Sequence, residues 1–216
     1  MLVKQFEVGE FRIFSYMVAD EVAKEAIFID PSADHDLLLE ETELYGLTVK
    51  YIVNTHHHID HVMGNYEMVE MTGAKTVIYK DDAPFICDVD PTMLRMFRAK
   101  TPPEADITVS DGDFINVGNV AIKVIHTPGH TPGGMCLYIE KKPDSQGMVF
   151  TGDTLFVGTC GRTDFPRGDF EQLKQSVTTR LYTLPGDTVV LPGHNYAARP
   201  TSTIEHERNT NDAIRP

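Results

Sequence analysis

Residues 55–61 constrain the fold of this chain more than any other stretch. They follow the apolar run 49–53, whose composition predicts a β-strand. This heptad contains four histidines and one aspartate: His56, His57, His58, Asp60 and His61. Neutral imidazole and carboxylate groups are metal ligands, and so many of them in one turn would repel or desolvate one another without a cation. We therefore predict a metal site at the carboxyl end of a strand, where layered α/β proteins usually bind ligands.

The backbone geometry of a turn divides these side chains into two groups. Successive side chains of an extended or tightly turned segment point to opposite sides. His56, His58 and Asp60 can therefore converge, and His61 joins them if the chain curls into a helix. His57 points away from this group, and we expect it to have a structural or surface role.

Length and charge limit the class of protein. A chain of 216 residues is expected to form one large domain with a substantial core. No apolar run approaches the roughly 20 residues that span a bilayer, and the N-terminus lacks the pattern of a signal peptide. We therefore expect a cytoplasmic protein without a membrane partner. The net charge of −13 disfavours a nucleic-acid partner, and three cysteines without a CxxC motif disfavour a disulfide framework.

The chain alternates β-prone and helical segments, which predicts two βα layers packed sheet on sheet with helices outside. The predicted strands are 2–8, 11–18, 26–30, 49–53, 76–79, 107–109, 114–117, 120–126, 134–139, 148–152 and 188–191. The predicted helices are 34–45, 62–71, 169–183 and 203–209, with a broken helix over 81–97. In that broken helix, a core role for Met93, Met96 and Phe97 is favoured over a role in covering a substrate.

Three further candidate ligands follow other predicted strands, and each is framed by glycine or proline. His130 lies in HTPGHTPGG after strand 120–126, and Asp153 lies in TGDT after strand 148–152. His194 lies in PGHN after strand 188–191. One such residue alone would be weak support for a metal site, because a lone histidine or aspartate after a strand is usually a surface or capping residue. Together with the heptad, they predict a shared metal centre.

These motifs resemble the metallo-β-lactamase superfamily over nearly the whole chain. The resemblance implies an α/β (α+β) fold, a four-layer αβ/βα sandwich of two mixed sheets packed face to face, as a single domain over residues 1–216. It also implies a dinuclear centre: His56, His58 and His130 would ligate one ion, Asp60, His61 and His194 the other, and Asp153 would bridge them.

The chemistry of the donor set agrees with the resemblance. Seven protein ligands are too many for one tetrahedral ion but suit two ions that share a carboxylate and a water. Two cations would turn that bridging water into a hydroxide nucleophile near neutral pH. We expect zinc, with iron or manganese as alternatives, and Asp60 and Asp153 as catalytic residues. Asp30 is a candidate outer partner of a ligand histidine. His126 is expected to be structural or on the surface, and His35 and His206 to be solvated.

Within the superfamily, TGDTLF at 151–156 and CGRTDFP at 160–166 resemble two groups, the glyoxalase II enzymes and the persulfide dioxygenases. Flavodiiron proteins resemble this chain but have HxExDH, with glutamate at the position of His58, which argues against that branch. Zinc β-lactamases tend to carry a cysteine ligand at the position of Asp153, which weakens antibiotic hydrolysis as the function. Nucleic-acid-cleaving members are disfavoured by the acidic composition. The resemblance implies that Arg162 and Tyr196 bind glutathione, although a salt bridge on the surface is an equally good interpretation of Arg162.

The expected function is hydrolysis of a thioester, such as S-lactoylglutathione, by a metal-bridging hydroxide. The substrate would be a small anionic thioester such as a glutathione conjugate. The alternative is a persulfide dioxygenase with a mononuclear iron, and a third candidate is a lactonase or other small-ester hydrolase. Glyoxalase II adds a helical C-terminal extension with further glutathione contacts. This chain resembles a short form without the full extension, which leaves its selectivity for glutathione open.

Overall fold

A computed structural model describes residues 1–143 and 145–215 of the chain. Six strands form a first mixed sheet and lie side by side in chain order. They are β1 (Leu2–Val8), β2 (Ile13–Asp20), β3 (Glu25–Ile29), β4 (Thr48–Asn54), β5 (Lys75–Tyr79) and β6 (Ile107–Val109). β1, β2 and β3 are antiparallel neighbours, whereas β3 to β6 run parallel. The carboxyl ends of β3, β4 and β5 therefore meet at one edge of this sheet.

The later strands form a second mixed sheet and a small hairpin. They are β7 (Phe114–Val117), β8 (Val120–His126), β9 (Met135–Ile139), β10 (Met148–Gly152), β11 (Leu155–Phe156), β12 (Thr159–Cys160), β13 (Val189–Pro192) and β14 (Ser202–Thr203). β11 and β12 pair as the hairpin, and the other six lie in the order β14-β13-β10-β9-β8-β7. β9 is antiparallel to both β8 and β10, and β10 is parallel to β13. β8, β10 and β13 therefore point in the same direction.

The helices of the described residues are short, and side chains or glycines cap several of them. They are α1 (His35–Tyr45), α2 (Ile59–Val62), α3 (Asn65–Thr72), α4 (Pro91–Phe97), α5 (Phe170–Ser176) and α6 (Ile204–Thr210). Gly46 ends α1 in a left-handed conformation, and the Asp169 side chain caps α5 by accepting from the N–H of Gln172. A π-helical turn, Val177–Leu181, continues α5. None of the helices in the part of the chain that the structure describes has the length and apolar character needed to cross a bilayer.

The chain divides into two compact units, each with its own apolar core. Unit 1 comprises residues 1–109 and 116–121, and unit 2 comprises residues 110–115 and those from 122 onwards. Fully buried side chains of unit 1 include Met17, Phe28 and Ile52. Those of unit 2 include Val149 and Leu173. The predicted α/β class with two mixed sheets is confirmed, whereas the single domain over residues 1–216 stays a prediction.

All eleven predicted strands are present, with bounds that differ from the prediction by at most two residues. The largest shift is in β2, which begins at Ile13 instead of residue 11, because Arg12 takes a left-handed φ of 54° in the preceding turn. The predicted helix 62–71 corresponds to α3, which begins three residues later at Asn65, and the separate one-turn helix α2 precedes it. The hairpin of β11 and β12 and the edge strand β14 were not predicted.

Two predictions about particular side chains were wrong. Every residue of α4 keeps some solvent-exposed surface, and Met96 is 69% exposed, so Met93, Met96 and Phe97 are not core residues. His35 is half-buried with its Nε2 enclosed, and burial lowers its pKa, so it is not a solvated helix start. The exposed position predicted for His206 is confirmed. His126 has the structural role that was one of its two predicted interpretations, because its Nε2 contacts the carbonyl oxygen of Pro132 at 2.9 Å.

Candidate metal centre

The histidine-rich turn of unit 1 lies between β4 and α2. β4 ends at Asn54, and α2 begins one residue after His58, which has extended backbone dihedrals. The N–H groups of His61 and Val62 both donate to the carbonyl oxygen of His58, at 3.0 and 3.2 Å. This one-turn helix brings Asp60 and His61 back beside the preceding histidines, as the sequence predicts.

Asp30 connects the beginning and the end of this turn. It follows β3 and is 1% exposed. Its Oδ1 accepts from the N–H of Thr55 at 2.8 Å, and its Oδ2 accepts from Thr55 Oγ1 at 2.6 Å and from His61 Nδ1 at 3.0 Å. The contact that the sequence predicts between Asp30 and a histidine of the turn is therefore present.

The same hydrogen bonds determine which ring nitrogens carry protons. A carboxylate only accepts, so Nδ1 of His61 carries a proton, and in the neutral ring Nε2 is the unprotonated nitrogen. The hydroxyl proton of Thr55 is donated to Asp30, so Thr55 Oγ1 accepts from His56 Nδ1, which lies 3.1 Å away. His56 is thereby also held with its Nε2 unprotonated, which is the form that binds metal ions.

The candidate ligands of unit 1 lie against one another. The ring centroid of His56 is 4.9 Å from that of His58 and 4.2 Å from that of His61. His61 Nε2 lies 3.9 Å from the Oδ2 of Asp60. His56 and His61 are buried, whereas His58 and Asp60 are partly exposed. Imidazoles at this spacing, with an adjacent carboxylate, form a donor set that fits a divalent cation.

His57, which the sequence places apart from the ligands, contacts a buried carboxylate. Its backbone N–H donates to Asp82 Oδ2 at 3.0 Å, and its Nδ1 lies 2.9 Å from the same oxygen. Asp82 is 0% exposed and follows β5, the neighbour of β4. The Phe85 ring lies 5.3 Å from the His57 ring. Asp82 thus fixes the residue between His56 and His58, a role that sequence reasoning missed because 25 residues separate it from His57.

In unit 2, one carboxylate oxygen of Asp153 lies between two histidines. Asp153 Oδ2 is 3.5 Å from His130 Nε2 and 3.4 Å from His194 Nε2. The three residues follow β8, β10 and β13, which point in the same direction, so the topology brings their ends to one edge. Both histidines are 3% exposed. Two imidazoles and a carboxylate at this spacing form a second donor set that fits a divalent cation.

Two glycines of unit 2 allow the backbone to approach Asp153 closely. A Cβ atom at Gly161 would lie 1.8 Å from the carbonyl oxygen of Asp153, and one at Gly193 would lie 2.5 Å from its Oδ1. Both distances are far below van der Waals contact. Both glycines belong to the sequence motifs, but only the folded chain shows that a larger residue at either position would collide with Asp153.

The loop that carries His130 is held by a side chain of α5 and by the main chain of the segment before α5. The N–H of Asp169 donates to the carbonyl oxygen of Gly129 at 2.7 Å, and Ser176 Oγ donates to that of Pro128 at 2.7 Å. His130 Nδ1 donates to the carbonyl oxygen of Arg162 at 2.6 Å. As in His56 and His61, Nε2 is therefore the unprotonated nitrogen of His130 when the ring is neutral.

The two predicted substrate contacts differ in their surroundings. The guanidinium of Arg162 makes a two-pronged ion pair with Asp164, with both N–O distances at 2.6 Å, and lies 3.9 Å from the Phe165 ring centroid. The pKa of Asp164 is lowered to about 2 by this ion pair. Tyr196 is 61% exposed, and its ring stacks on His194 with centroids 4.6 Å apart and an interplanar angle of 11°. The Arg162 side chain therefore has a surface salt bridge, and Tyr196 lies next to a candidate ligand.

Comparisons with known proteins support the same family. A family model described as the Metallo-beta-lactamase superfamily matches residues 8–194. The chain is 35% identical over 205 residues to human "Persulfide dioxygenase ETHE1, mitochondrial", covering 93% of this chain and 71% of that protein. It is also 35% identical over 199 residues to the "Hydroxyacylglutathione hydrolase" of Pelagibacter ubique, covering 91% and 72%. A solved structure of TTHA1623 in a di-iron-bound form superposes with a TM-score of 0.81 at 31% identity, covering 97% and 98%.

Proposed function

Because the chain belongs to the metallo-β-lactamase superfamily, whose members are metal-dependent enzymes, we propose that it hydrolyses thioesters of a small thiol, as glyoxalase II does. The observation that carries the proposal is the position of Asp153 Oδ2, 3.5 Å from His130 Nε2 and 3.4 Å from His194 Nε2. A carboxylate oxygen that lies between two imidazoles can bind a metal ion together with either of them, which suits the bridging role that the proposal gives to Asp153.

The proposed ligand sets follow the family pattern. His56, His58 and His130 hold one ion, Asp60, His61 and His194 hold the other, and Asp153 bridges them. The protonation of the rings supports this assignment, because the Nδ1 atoms of His56, His61 and His130 are engaged with other groups. We expect zinc, with iron and manganese as alternatives. The di-iron form of TTHA1623 is a precedent for two ions in a protein of this fold.

Two divalent ions bound there would lower the pKa of a shared water and polarise the thioester carbonyl. The chain's own groups keep the donors in place. Asp30 maintains the tautomer of His61, the carbonyl of Arg162 maintains that of His130, and Asp82 fixes the backbone between two ligands. A thiolate is a good leaving group, so the sulfur requires no dedicated general acid. Asp60 and Asp153 are the proposed catalytic residues, both as ligands.

The proposed substrate is a glutathione conjugate or a similar anionic thioester. Tyr196 is exposed and stacks on His194, which suits a residue that touches both the substrate and the metal site. Arg162 would have to exchange Asp164 for a substrate carboxylate, which a guanidinium can bind in the same two-pronged geometry. Selectivity for glutathione therefore depends on the competition between Asp164 and the substrate.

The second candidate is a persulfide dioxygenase, and one observation favours it. Human ETHE1, which carries that name, is as identical to this chain as the Pelagibacter hydrolase is, at 35%. The two candidates require different centres, one iron for oxygen chemistry and two divalent ions for hydrolysis.

Metal content and oxygen consumption distinguish these candidates. The protein would be purified without added metal, and its ions counted by elemental analysis. S-lactoylglutathione and glutathione persulfide would then be offered with and without oxygen. Two ions per chain and oxygen-independent thioester hydrolysis are expected. A single iron, together with oxygen uptake on the persulfide, would replace the proposal with the dioxygenase.

A further inference from the structure

Unit 1 contains a cavity of about 400 Å³ beside the histidine-rich turn. It lies between the β1–β2 turn and the end of α4, and five of its lining side chains are apolar: Phe11, Ala33, Met63, Met96 and Phe97. Met63 is only two residues after His61, so a cavity wall and a candidate ligand belong to the same short segment. The volume is in the lower part of the range found for small-molecule sites, roughly 300–1,000 Å³.

Ala33 packs against the core of unit 1, but the larger apolar side chains of the lining keep exposed surface. Each residue of α4 keeps exposed surface, Met96 is 69% exposed and Phe11 is 43% exposed. The Phe11 and Phe97 rings contact each other with centroids 4.9 Å apart, which joins the β1–β2 turn to α4. Adjacent exposed aromatic and methionine side chains that surround a concavity are typical of binding sites for apolar groups.

The charges at the cavity favour an uncharged occupant. Glu10 and Arg98 are both exposed lining residues, one carboxylate and one guanidinium, so the ionised side chains of the lining sum to zero. An ionic ligand would gain attraction from one of them and repulsion from the other. An apolar chain or ring would bury the phenylalanine and methionine surface without separating these charges from water.

We propose that this cavity binds the acyl group of the thioester substrate, and that this group is an apolar chain or ring larger than the lactoyl group. The inference rests on the proposed thioester hydrolysis and names its substrate class. Water adds to the acyl carbon and the carbon–sulfur bond breaks, which gives a carboxylic acid and a thiol. Flexible methionine side chains would accommodate acyl groups of more than one shape.

The kinetic test compares two thioesters of the same thiol, S-hexanoylglutathione and S-acetylglutathione. A buried methylene contributes about fourfold in binding, so kcat/KM for the hexanoyl substrate should exceed that for the acetyl substrate by at least about tenfold. Met96→Gln should reduce this ratio severalfold, because it places an amide among the apolar lining. Met71→Gln is the matched control, since Met71 is a 50% exposed methionine on α3 outside the lining, and it should leave the ratio unchanged.

A binding test does not depend on catalysis. The chain has no tryptophan, so Phe11→Trp creates a single fluorescent reporter in the cavity. S-hexylglutathione, a thioether that cannot be hydrolysed, should shift the emission to shorter wavelength, and S-methylglutathione should not. Phe170→Trp is the control, because Phe170 on α5 has the same 43% exposure as Phe11 and should show no shift with either compound.

The two tests separate this inference from the proposed function. Equal kcat/KM for both thioesters, with no emission shift at position 11, would overturn the acyl site and leave thioester hydrolysis standing. An emission shift at position 11 without hydrolysis of either thioester would support the cavity as an apolar site and overturn the hydrolase.

Discussion

Asp30 Oδ2 lies 3.0 Å from His61 Nδ1, and the same carboxylate holds Thr55 at the other end of the histidine-rich turn. One buried side chain therefore fixes the position of the ligand turn and the tautomer of one of its histidines. This relationship is the basis for the first prediction.

Asp30→Asn should weaken metal binding by about 10- to 100-fold, the usual cost of losing an outer partner of a ligand histidine. The amide would present an N–H group to His61 Nδ1 or to Thr55, both of which already donate to this position. Competition with a chelator measures the affinity. Asp106→Asn is the matched control, because Asp106 also accepts from the N–H and Oγ1 of a threonine, Thr76, away from the candidate ligands. Equal losses in both variants would contradict the role of Asp30.

His57→Ala should leave the metal content unchanged, because His57 belongs to neither proposed ligand set. The ring contact with Asp82 would be lost while the backbone N–H of residue 57 still donates to it, so the free energy of unfolding should fall by about 0.5–1.5 kcal/mol, the net contribution of one such contact. Elemental analysis and urea denaturation give the two quantities. Asp153→Ala is the comparison, and it should lose at least one ion together with activity. Loss of metal from the His57 variant would show that the ligand assignment is wrong.

Gly193→Ala should disrupt the metal centre although it adds only one methyl group. The new Cβ would lie 2.5 Å from Asp153 Oδ1 and 2.9 Å from the carbonyl carbon of Gly152, so the carboxylate must move. We expect loss of at least one ion and of activity. Gly147→Ala, where the nearest atoms lie at an ordinary 3.4 Å, should retain both. Full metal content in both variants would mean that the position of Asp153 is not critical.

Arg162→Ala should raise the KM for a glutathione thioester much more than the KM for an uncharged thioester, because only the former offers carboxylates. Asp164→Asn should have the opposite effect on the anionic substrate, since it removes the carboxylate that occupies the guanidinium. The pKa of Asp164 is about 2, so the ion pair persists throughout the neutral range. Steady-state kinetics with both substrates provide the measurement. If Arg162→Ala changes the KM for the glutathione thioester and for the uncharged thioester by the same factor, Arg162 has a purely structural role.

Acid should destabilise unit 1 through Asp20. This carboxylate accepts hydrogen bonds from the N–H groups of Val22, Ala23 and Asn119 and from the Asn119 side chain, which lower its pKa well below the usual value. The ionised form is thus favoured by folding. The ionised Asp20 carboxylate contributes its full stabilisation above about pH 4, the pKa of an aspartate in the unfolded chain. This contribution is lost as the pH falls toward the lower pKa of Asp20 in the folded chain.

Asp20→Asn should therefore lower the Tm at pH 7, and the difference from the natural chain should shrink below about pH 4. Scanning calorimetry across this range gives the comparison. Glu21→Gln, at the exposed neighbouring position, should change the Tm little at either pH. A difference that stays constant with pH would refute the contribution of the Asp20 charge.

The parts of the fold that could be predicted are those with a local signal. Apolar runs bounded by glycine, proline and polar residues located the strands, and the strand ends located the candidate ligands. β11, β12 and β14 have only two residues each, too few for any periodicity. The contact of Asp82 with His57, and the identity of Asp164 as the partner of the Arg162 salt bridge, escaped prediction for a different reason. A carboxylate after a strand gives no sign of which side chain it will meet in the folded chain.

His130 is held by the carbonyl oxygen of Arg162 and not by its guanidinium. Every amino acid supplies that carbonyl, so evolution can replace the side chain at position 162 without releasing the histidine. Under the proposed function, substrate binding depends on the guanidinium of Arg162, whereas the position of the candidate ligand His130 depends on the carbonyl oxygen of the same residue. If the proposed function holds, a single substitution at this position would change the thiol that is accepted and leave the candidate metal centre intact.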